Sequence, residues 1–201
     1  MKLTKSFYIK PVLELAPLLL GKVLVHNTPE GTTKGRIVEV EAYDGTCDKG
    51  CHAYPCKKTP RTEVLFEEGG AAYVYLIYGM YCCLNVVADR KDVPCAVLIR
   101  ALEPLAGQDL MAKRRKLSSP KSWCSGPGKL CLAMGISRDH NRMDLCGDEL
   151  FLEDDGMIPD TILASKRINI DYAEEAADFL WRFSIKDHPF VSKKPKQFQI
   201  Y

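Results

Sequence analysis

The sequence predicts an α+β fold: a single domain with a curved, mainly antiparallel β-sheet and peripheral helices. The chain has 201 residues, of which 46% are hydrophobic, which is enough to build the core of one domain. Apolar strands follow one another across short turn-rich segments, as in hairpins. The alternation of strands and helices that is typical of a parallel sheet is absent.

The first half of the chain supplies one helix and most of the strands. Residues 11–20 predict a short helix that ends at Gly21 and that Pro17 shortens or kinks. Residues 21–26 and 34–43 flank a turn-rich segment, which predicts a hairpin. Three more strands are predicted at residues 72–78, 81–88 and 95–101, and we expect them to form the centre of the sheet.

The second half of the chain is predicted to contain helices and extended segments. Helices are predicted at residues 108–117 and 129–134, the second between the glycines Gly128 and Gly135. Extended segments follow at 149–153 and 161–168, and a helix at 173–180. We expect residues 1–201 to form one domain whose basic tail begins at about residue 190 and contains Lys193, Lys194 and Lys196.

Charge and composition exclude several classes of protein. The formal net charge is only +2, so a polyanion would have to meet a locally basic face. The longest apolar stretch, residues 71–88, is interrupted by Gly79 and Asn85, which disfavours a membrane span. Nine cysteines, an odd number scattered through apolar segments, indicate reduced thiols. No signal peptide is evident, so we expect a cytoplasmic protein.

One predicted strand carries two acids and a phenol on the same face. Alternation along residues 34–43 places Glu39, Glu41 and Tyr43 together. A carboxylate beside an aromatic ring could serve as a general base next to a binding platform. A solvated strand face would give the same pattern, so spacing alone leaves both interpretations open.

Four of the nine tyrosines lie between residues 73 and 81. Alternation directs Tyr73 and Tyr75 to one face, whereas Tyr78 and Met80 lie at a hairpin tip around Gly79. Cross-strand packing explains such a pattern without any function. An exposed tip of this kind could also act as a wedge between stacked bases.

Two loops have compositions that suit phosphate contact. Residues 52–61 combine rings, hydroxyls and cations, although an ordinary surface loop is an equal alternative. Residues 125–129 lead into a helix, but no Ser or Thr follows Lys129, which argues against a nucleotide-hydrolysing P-loop. A zinc site around His52 is disfavoured because Cys51 is adjacent to it and no second cysteine pair exists.

Six segments in register resemble the alkyladenine (3-methyladenine) DNA glycosylase family over most of the chain. They are GRIVEVEAY (35–43), the loop with His52 and TPR (59–61), YVYLIYGMY (73–81), Asn85, LIRALEP (98–104) and SGPGKLC (125–131). The resemblance implies a monofunctional enzyme, without metal or cofactor, that flips a damaged purine out of double-stranded DNA and hydrolyses its N-glycosidic bond. A monomer is expected.

The resemblance also implies roles for individual residues. Glu41 matches the general base and Arg100 a residue that helps to hold the attacking water, together with the backbone near Ile170. The base-binding positions are matched by Tyr43, His52, Tyr75 and Asn85. The wedge is matched by Tyr78, Met80 and Tyr81, and DNA-backbone contacts by Thr59, Arg61, Lys129 and Arg138.

The sequence departs from the family pattern at a few positions, and two rival functions stay open. Pro55, Cys56 and Asn169 stand where the family commonly has glycine, and Leu180 where it commonly has proline. The first rival is a non-catalytic nucleic-acid-binding module of the same fold. The second is a zinc-dependent hydrolase that uses the cysteine-rich loop near His52.

Overall fold

A nine-stranded sheet dominates the computed structural model, which describes residues 1–201, and all its pairings are antiparallel. The strands are β1 (Val23–Thr28), β2 (Gly31–Asp44), β3 (Ala72–Ile77), β4 (Tyr81–Val87), β5 (Cys95–Ala106), β6 (Leu150–Glu153), β7 (Ile162–Ser165), β8 (Arg182–Ile185) and β9 (Gln199–Ile200). They run in the order β3-β4-β5-β2-β8-β7-β9, with β1 beside β2 and β6 beside β1. The predicted α+β class is confirmed.

Helices surround this sheet. The α-helices are α1 (Lys5–Tyr8), α2 (Val12–Leu19), α3 (Gln108–Arg115) and α4 (Pro127–Met134). Four 3-10 helices span Glu63–Phe66, Pro120–Ser122, Arg138–His140 and Asp171–Asp178. The helices predicted at residues 11–20, 108–117 and 129–134 are therefore present, and Gly135 ends α4 in the left-handed conformation at φ +76°.

The helix predicted at residues 173–180 is a 3-10 helix over Asp171–Asp178 instead of a regular one. It is broken at Glu174, whose φ of 51° and ψ of −128° are not helical. Its buried residues, Ala173 and Ala176, pack with Ile170 in a small separate cluster. This segment carries residues that line the functional site described below.

The expected centre of the sheet is correct for β4 and β5, which lie inside it, but wrong for β3. The long strands β2 and β5 lie in the middle, whereas β3 is the end strand. The free edge of β3 is covered: its backbone N–H groups at Ala72 and Val74 donate to Met143 O (2.8 Å) and Asn141 Oδ1 (2.9 Å). Because the segment from Asn141 to Met143 covers this edge, β3 can be as apolar as an interior strand.

Strand β2 connects the two halves of the sheet. It pairs with β5 along one side, and with β1 and then β8 along the other. Register shifts interrupt its pairing with β5 between Ile37 and Glu39 and again between Glu39 and Val40. Such bulges bend a strand and re-aim its side chains. Here they lie at the start of the acidic face that the sequence predicts.

The main core contains 36 buried residues between the sheet and its helices, and α2 and α4 supply several of them. All nine cysteines are free, as expected of reduced thiols. None of the helices has the length and apolar character needed to cross a membrane. A cytoplasmic location stays a prediction.

Candidate active site

A cleft of about 730 Å³ lies where β2, the β3–β4 hairpin, the start of α4 and the Ile168–Tyr172 segment meet. This volume falls within the ~300–1,000 Å³ typical of ligand sites. The predicted site residues that line it are Glu41, Tyr43, His52, Arg61, Tyr75, Tyr78, Tyr81, Arg100 and Lys129. A smaller cavity of about 40 Å³ adjoins it and shares Tyr43, His52, Tyr75 and Tyr172 with the cleft.

Glu41 lines the cleft although its side chain has no exposed surface. Its Oε2 accepts hydrogen bonds from Tyr43 Oη (2.8 Å) and Arg100 Nη1 (3.2 Å), and its Oε1 accepts one from the backbone N–H of Ile168 (2.8 Å). Three donors therefore fix the orientation of one carboxylate. The alternative of a solvated strand face is wrong, because Glu39 is also completely buried.

Glu39 is a second buried acid that binds Arg100, the residue that also contacts Glu41. Its Oε1 accepts from Arg100 Nε (3.2 Å) and Arg182 Nη1 (3.0 Å), and its Oε2 accepts from the backbone N–H of Ser192 (2.7 Å). Two buried acids thus face two buried guanidinium groups. Burial disfavours the charge on Arg100, but Glu41 and Glu39 together raise its pKa above the ordinary value.

Tyr43 forms one aromatic wall of the site. Its hydroxyl donates to Glu41, and burial, followed by the charge of Glu41, raises its pKa well above the ordinary value. The phenol therefore stays protonated and remains a donor. The Arg167 guanidinium lies 4.6 Å from the ring centroid, and its pairing with the buried Asp48 fixes it there. The Tyr43 ring therefore makes a cation–π contact with a guanidinium group whose position is fixed.

His52 forms part of the opposite wall. Arg61 Nη2 lies 3.3 Å from His52 Nε2 and can only donate, so Nδ1 carries the hydrogen and donates to Tyr73 Oη (2.9 Å). Burial and, to a smaller extent, the charge of Arg61 lower the pKa of His52 to about 4. The imidazole is therefore neutral near pH 7. Its ring meets that of Tyr75 edge to face, with centroids 4.6 Å apart.

The remaining walls come from β3 and β4. Tyr73 and Tyr75 lie on one face with ring centroids 5.2 Å apart, as the alternation predicts. Asn85 donates from Nδ2 to Tyr73 O (3.1 Å) and lines the smaller cavity, not the larger cleft. Its amide is 4% exposed, so it reaches the site only from within this cavity.

The hairpin tip between β3 and β4 projects apolar side chains. Tyr78 is 76% exposed, Met80 68% and Tyr81 44%. Tyr78 and Gly79 both adopt the left-handed conformation, at φ 52° and 70°, which a tyrosine seldom does. Three large side chains at an exposed, tightly turned tip fit the wedge that the sequence suggests.

The predicted backbone-contacting residues do not all reach the cleft. Arg61 and Lys129 line it, and Arg61 also lies over the Tyr75 ring at 5.2 Å. Thr59 instead pairs its hydroxyl with Thr62 (3.0 Å). Arg138 lies in the 3-10 helix that packs against β3, outside the lining of the cleft. The roles of Thr59 and Arg138 stay predictions.

The cysteines near His52 do not come together as a metal site. Three side chains able to share a metal ion converge at another place, formed by His26, His140 and Glu149. The two histidines there bond to each other through their Nε2 atoms (3.0 Å), and His26 Nδ1 bonds to Met134 O (2.8 Å). The geometry gives the zinc-hydrolase alternative no support at the cysteine-rich loop.

Comparison with known proteins decides the family. A family model described as methylpurine-DNA glycosylase matches residues 6–189. A protein of Alkaliphilus oremlandii is 52% identical over 96% of this chain and all of its own length. Proteins of Clostridium perfringens and Clostridium acetobutylicum are each 51% identical over 96% of this chain and cover 100% and 98% of their own lengths. All three are provisionally named 3-methyladenine DNA glycosylases.

This chain belongs to the methylpurine-DNA glycosylase family. The resemblance drawn from the sequence motifs is thereby confirmed, as is the expectation of a DNA glycosylase. The match covers every predicted site residue, because all of them lie between residues 41 and 138.

Two departures from the glycosylase pattern have a simple conformational explanation. Cys56 and Asn169, which replace expected glycines, adopt left-handed backbones at φ 53° and 58°. This conformation favours glycine, and asparagine tolerates it better than most other residues. The turns are therefore kept without the glycines. His52 still lies against Tyr73 and Tyr75 despite the neighbouring Pro55.

Several residues of this glycosylase site could not be found by sequence reasoning from the strand pattern. Ile168 supplies a backbone donor to Glu41. The backbone of Ile170, which also lines the cleft, stays the predicted partner of the attacking water. Arg182 and Ser192 contact Glu39 from more than 140 positions away. Tyr172, which is 67% exposed, lines both the cleft and the smaller cavity.

Proposed function

We propose that this glycosylase extrudes a damaged purine from double-stranded DNA and hydrolyses its N-glycosidic bond with a water molecule activated by Glu41. The observation that carries the proposal is the position of Glu41. Three donors orient its carboxylate beside a cleft whose adjoining cavity is walled by Tyr43, His52 and Tyr75.

The aromatic walls favour a base that carries positive charge. A purine alkylated at a ring nitrogen is cationic, and each electron-rich ring face contributes about 0.5–2 kcal/mol to holding it. His52 can take part because its lowered pKa keeps the imidazole uncharged. A protonated imidazole would instead repel the charged base.

The buried carboxylate suits the bond-breaking step. As the C1′–N bond breaks, its electron pair leaves with the base and positive charge develops on the sugar. Glu41 stabilises that charge and accepts a proton from the water whose oxygen bonds to C1′. Arg100 acts as a positioning residue, since its guanidinium joins Glu41 to Glu39. A cationic base leaves as the neutral free base, whereas a neutral base leaves as an anion that takes a proton from solvent; the sugar becomes an abasic site.

The hairpin tip supports extrusion. An exposed tyrosine at a rigid turn can fill the space that a flipped nucleotide leaves in the stack. Tyr78 has that position, and Met80 and Tyr81 flank it. Lys129 and Arg61, which both line the cleft, would meet phosphates.

The proposed substrates are purines of the 3-methyladenine, 7-methylguanine, hypoxanthine and ethenoadenine class. In this proposal Asn85, which lines the smaller cavity, contributes to selectivity by crowding the exocyclic amine of an undamaged guanine. We also propose that the chain acts as a monomer.

The proposal is tested by incubating the purified protein with duplexes that contain hypoxanthine or 3-methyladenine, in the presence of EDTA. Release of the free base together with an abasic strand is the expected result. Binding without release would support the non-catalytic module, and release that EDTA abolishes would support metal-dependent hydrolysis. An undamaged duplex of the same sequence is the control.

A further inference from the structure

The basic tail lies beside the cleft, in a part of the chain beyond the residues that the family model matches. Lys193, Lys194 and Lys196 are exposed and line a polar pocket of about 470 Å³. Ile168 and Asn169 line both this pocket and the catalytic cleft. The two surfaces are therefore continuous.

The tail is fixed at both ends. At its start, the backbone N–H of Ser192 donates to Glu39 Oε2 (2.7 Å), and Arg182 Nη1 donates to Lys193 O (2.8 Å). At its end, β9 pairs with β7, and the N–H of Tyr201 donates to Ile162 O (2.9 Å). The lysines therefore project from a backbone that the core anchors, through the same Glu39 that holds Arg100.

The charge of this surface is not neutralised by the protein. Among the other cations that line the pocket, Arg167 pairs with Asp48, Arg182 with Glu39 and Lys166 with Asp178. The three tail lysines form no salt bridge. Asp171 is the one acid in the lining, so a net positive charge faces solvent.

We propose that Lys193, Lys194 and Lys196 bind the phosphodiester backbone of the duplex where it leaves the cleft past Ile168 and Asn169. Unpaired ammonium groups on a fixed backbone suit phosphates, which require charge but no base-specific geometry. This inference rests on the proposed function, because it takes duplex DNA as the substrate. It extends the contact surface beyond Arg61 and Lys129 to the basic pocket that shares Ile168 and Asn169 with the cleft.

The test is the salt dependence of duplex binding by the full chain. In a K193Q/K194Q/K196Q variant we expect the negative slope of log K, where K is the association constant, against log salt concentration to become shallower by about 2–3. Each lost phosphate contact removes about 0.9 from its magnitude. The single-turnover rate at saturating protein should match that of the wild type. The arginine variant K193R/K194R/K196R should keep the wild-type slope.

A matched control removes three other exposed lysines, Lys91, Lys121 and Lys186, which line neither the cleft nor the basic pocket. Their glutamine variants should leave the slope unchanged. A wild-type slope in the tail variant, or an equal fall in the control, overturns the tail contact while base release by the wild type keeps the proposed function. A wild-type protein that neither binds duplex DNA nor releases a base overturns both.

Discussion

The backbone N–H of Ile168 donates a 2.8 Å hydrogen bond to Oε1 of Glu41, across 127 positions of sequence. The acid lies on the central strand β2, whereas Ile168 follows β7 near the other end of the chain. The orientation of the proposed general base therefore depends on tertiary structure, and not only on its own strand. The residues that contact Glu41 can therefore be substituted one at a time to test what each contributes.

Tyr43→Phe removes one donor to Glu41 and keeps the aromatic wall. We expect the single-turnover rate to fall by at least about tenfold, since a hydrogen bond to a charged group contributes about 1.5–3 kcal/mol and about 1.4 kcal/mol is a factor of ten. Affinity for a lesion-containing duplex should change little, because the ring remains. Tyr43→Ala, the comparison variant, should lose affinity as well. Equal losses of affinity in both variants would contradict this division of roles.

Glu39→Gln removes the buried negative charge that pairs with the guanidinium groups of Arg100 and Arg182. Breaking such a pair costs about 3–5 kcal/mol when an uncompensated charge stays buried. We expect the free energy of unfolding, measured by urea denaturation, to fall by about that amount. Glu68→Gln is the control, since Glu68 is exposed and forms no salt bridge. Equal stabilities of the two variants would show that the cluster is not held by Glu39.

The lowered pKa of His52 gives a pH dependence with a defined sign. The folded state resists protonation down to about pH 4, whereas an unfolded histidine titrates near 6.5. Its contribution to stability is therefore fully present above about pH 6.5 and is lost as the pH falls toward 4. Burial lowers the pKa of His26 and of His188 as well, so both act in the same direction.

The measurement is an NMR titration of the His52 ring together with urea denaturation between pH 4 and 8. Arg61→Gln should raise the pKa of His52, because the guanidinium charge is one of the two causes of its shift. His52→Asn should make the loss of stability at low pH shallower. A ring that titrates near 6.5 in the wild-type protein would contradict the lowered pKa and its assignment to burial and to Arg61.

Tyr78→Ala tests the wedge. We expect retention of the extruded nucleotide, followed by the fluorescence of a base analogue at the lesion site, to weaken more than nonspecific duplex affinity. The reason is that the exposed ring would fill the emptied stack but would make few contacts with an undistorted duplex. Ile158→Ala removes another exposed apolar side chain, 81% exposed and outside the cleft. Equal losses of retention and affinity for Tyr78→Ala would count against the wedge.

The residues of the site that one strand or one hairpin supplies could be predicted from the sequence. Alternation is a local rule, so it groups Glu39, Glu41 and Tyr43, and likewise Tyr73 with Tyr75. The same rule could not distinguish a buried from a solvated face. That difference depends on Arg100 and Arg182, which arrive from other strands.

The errors in the predicted fold also arise because the sequence pattern is local. Apolar content placed residues 72–78 at the centre of the sheet together with 81–88 and 95–101, because nothing local reveals that residues 141–143 cover the edge of β3. The broken 3-10 helix at Asp171–Asp178 also has no local signal, since alanine and glutamate favour a regular helix. The family motifs identified the site more reliably than the strand periods, because they span distant segments.

Whether Glu41 is the general base is tested by the single-turnover rate of Glu41→Gln on a hypoxanthine-containing duplex at saturating protein. The variant keeps the size of the side chain, but it replaces one accepting oxygen with a donating amide group and cannot accept the proton from water. We expect a rate lower by about 10²–10⁴-fold with lesion affinity near that of the wild type. A rate within about tenfold of the wild type would contradict the assignment of Glu41 as the base.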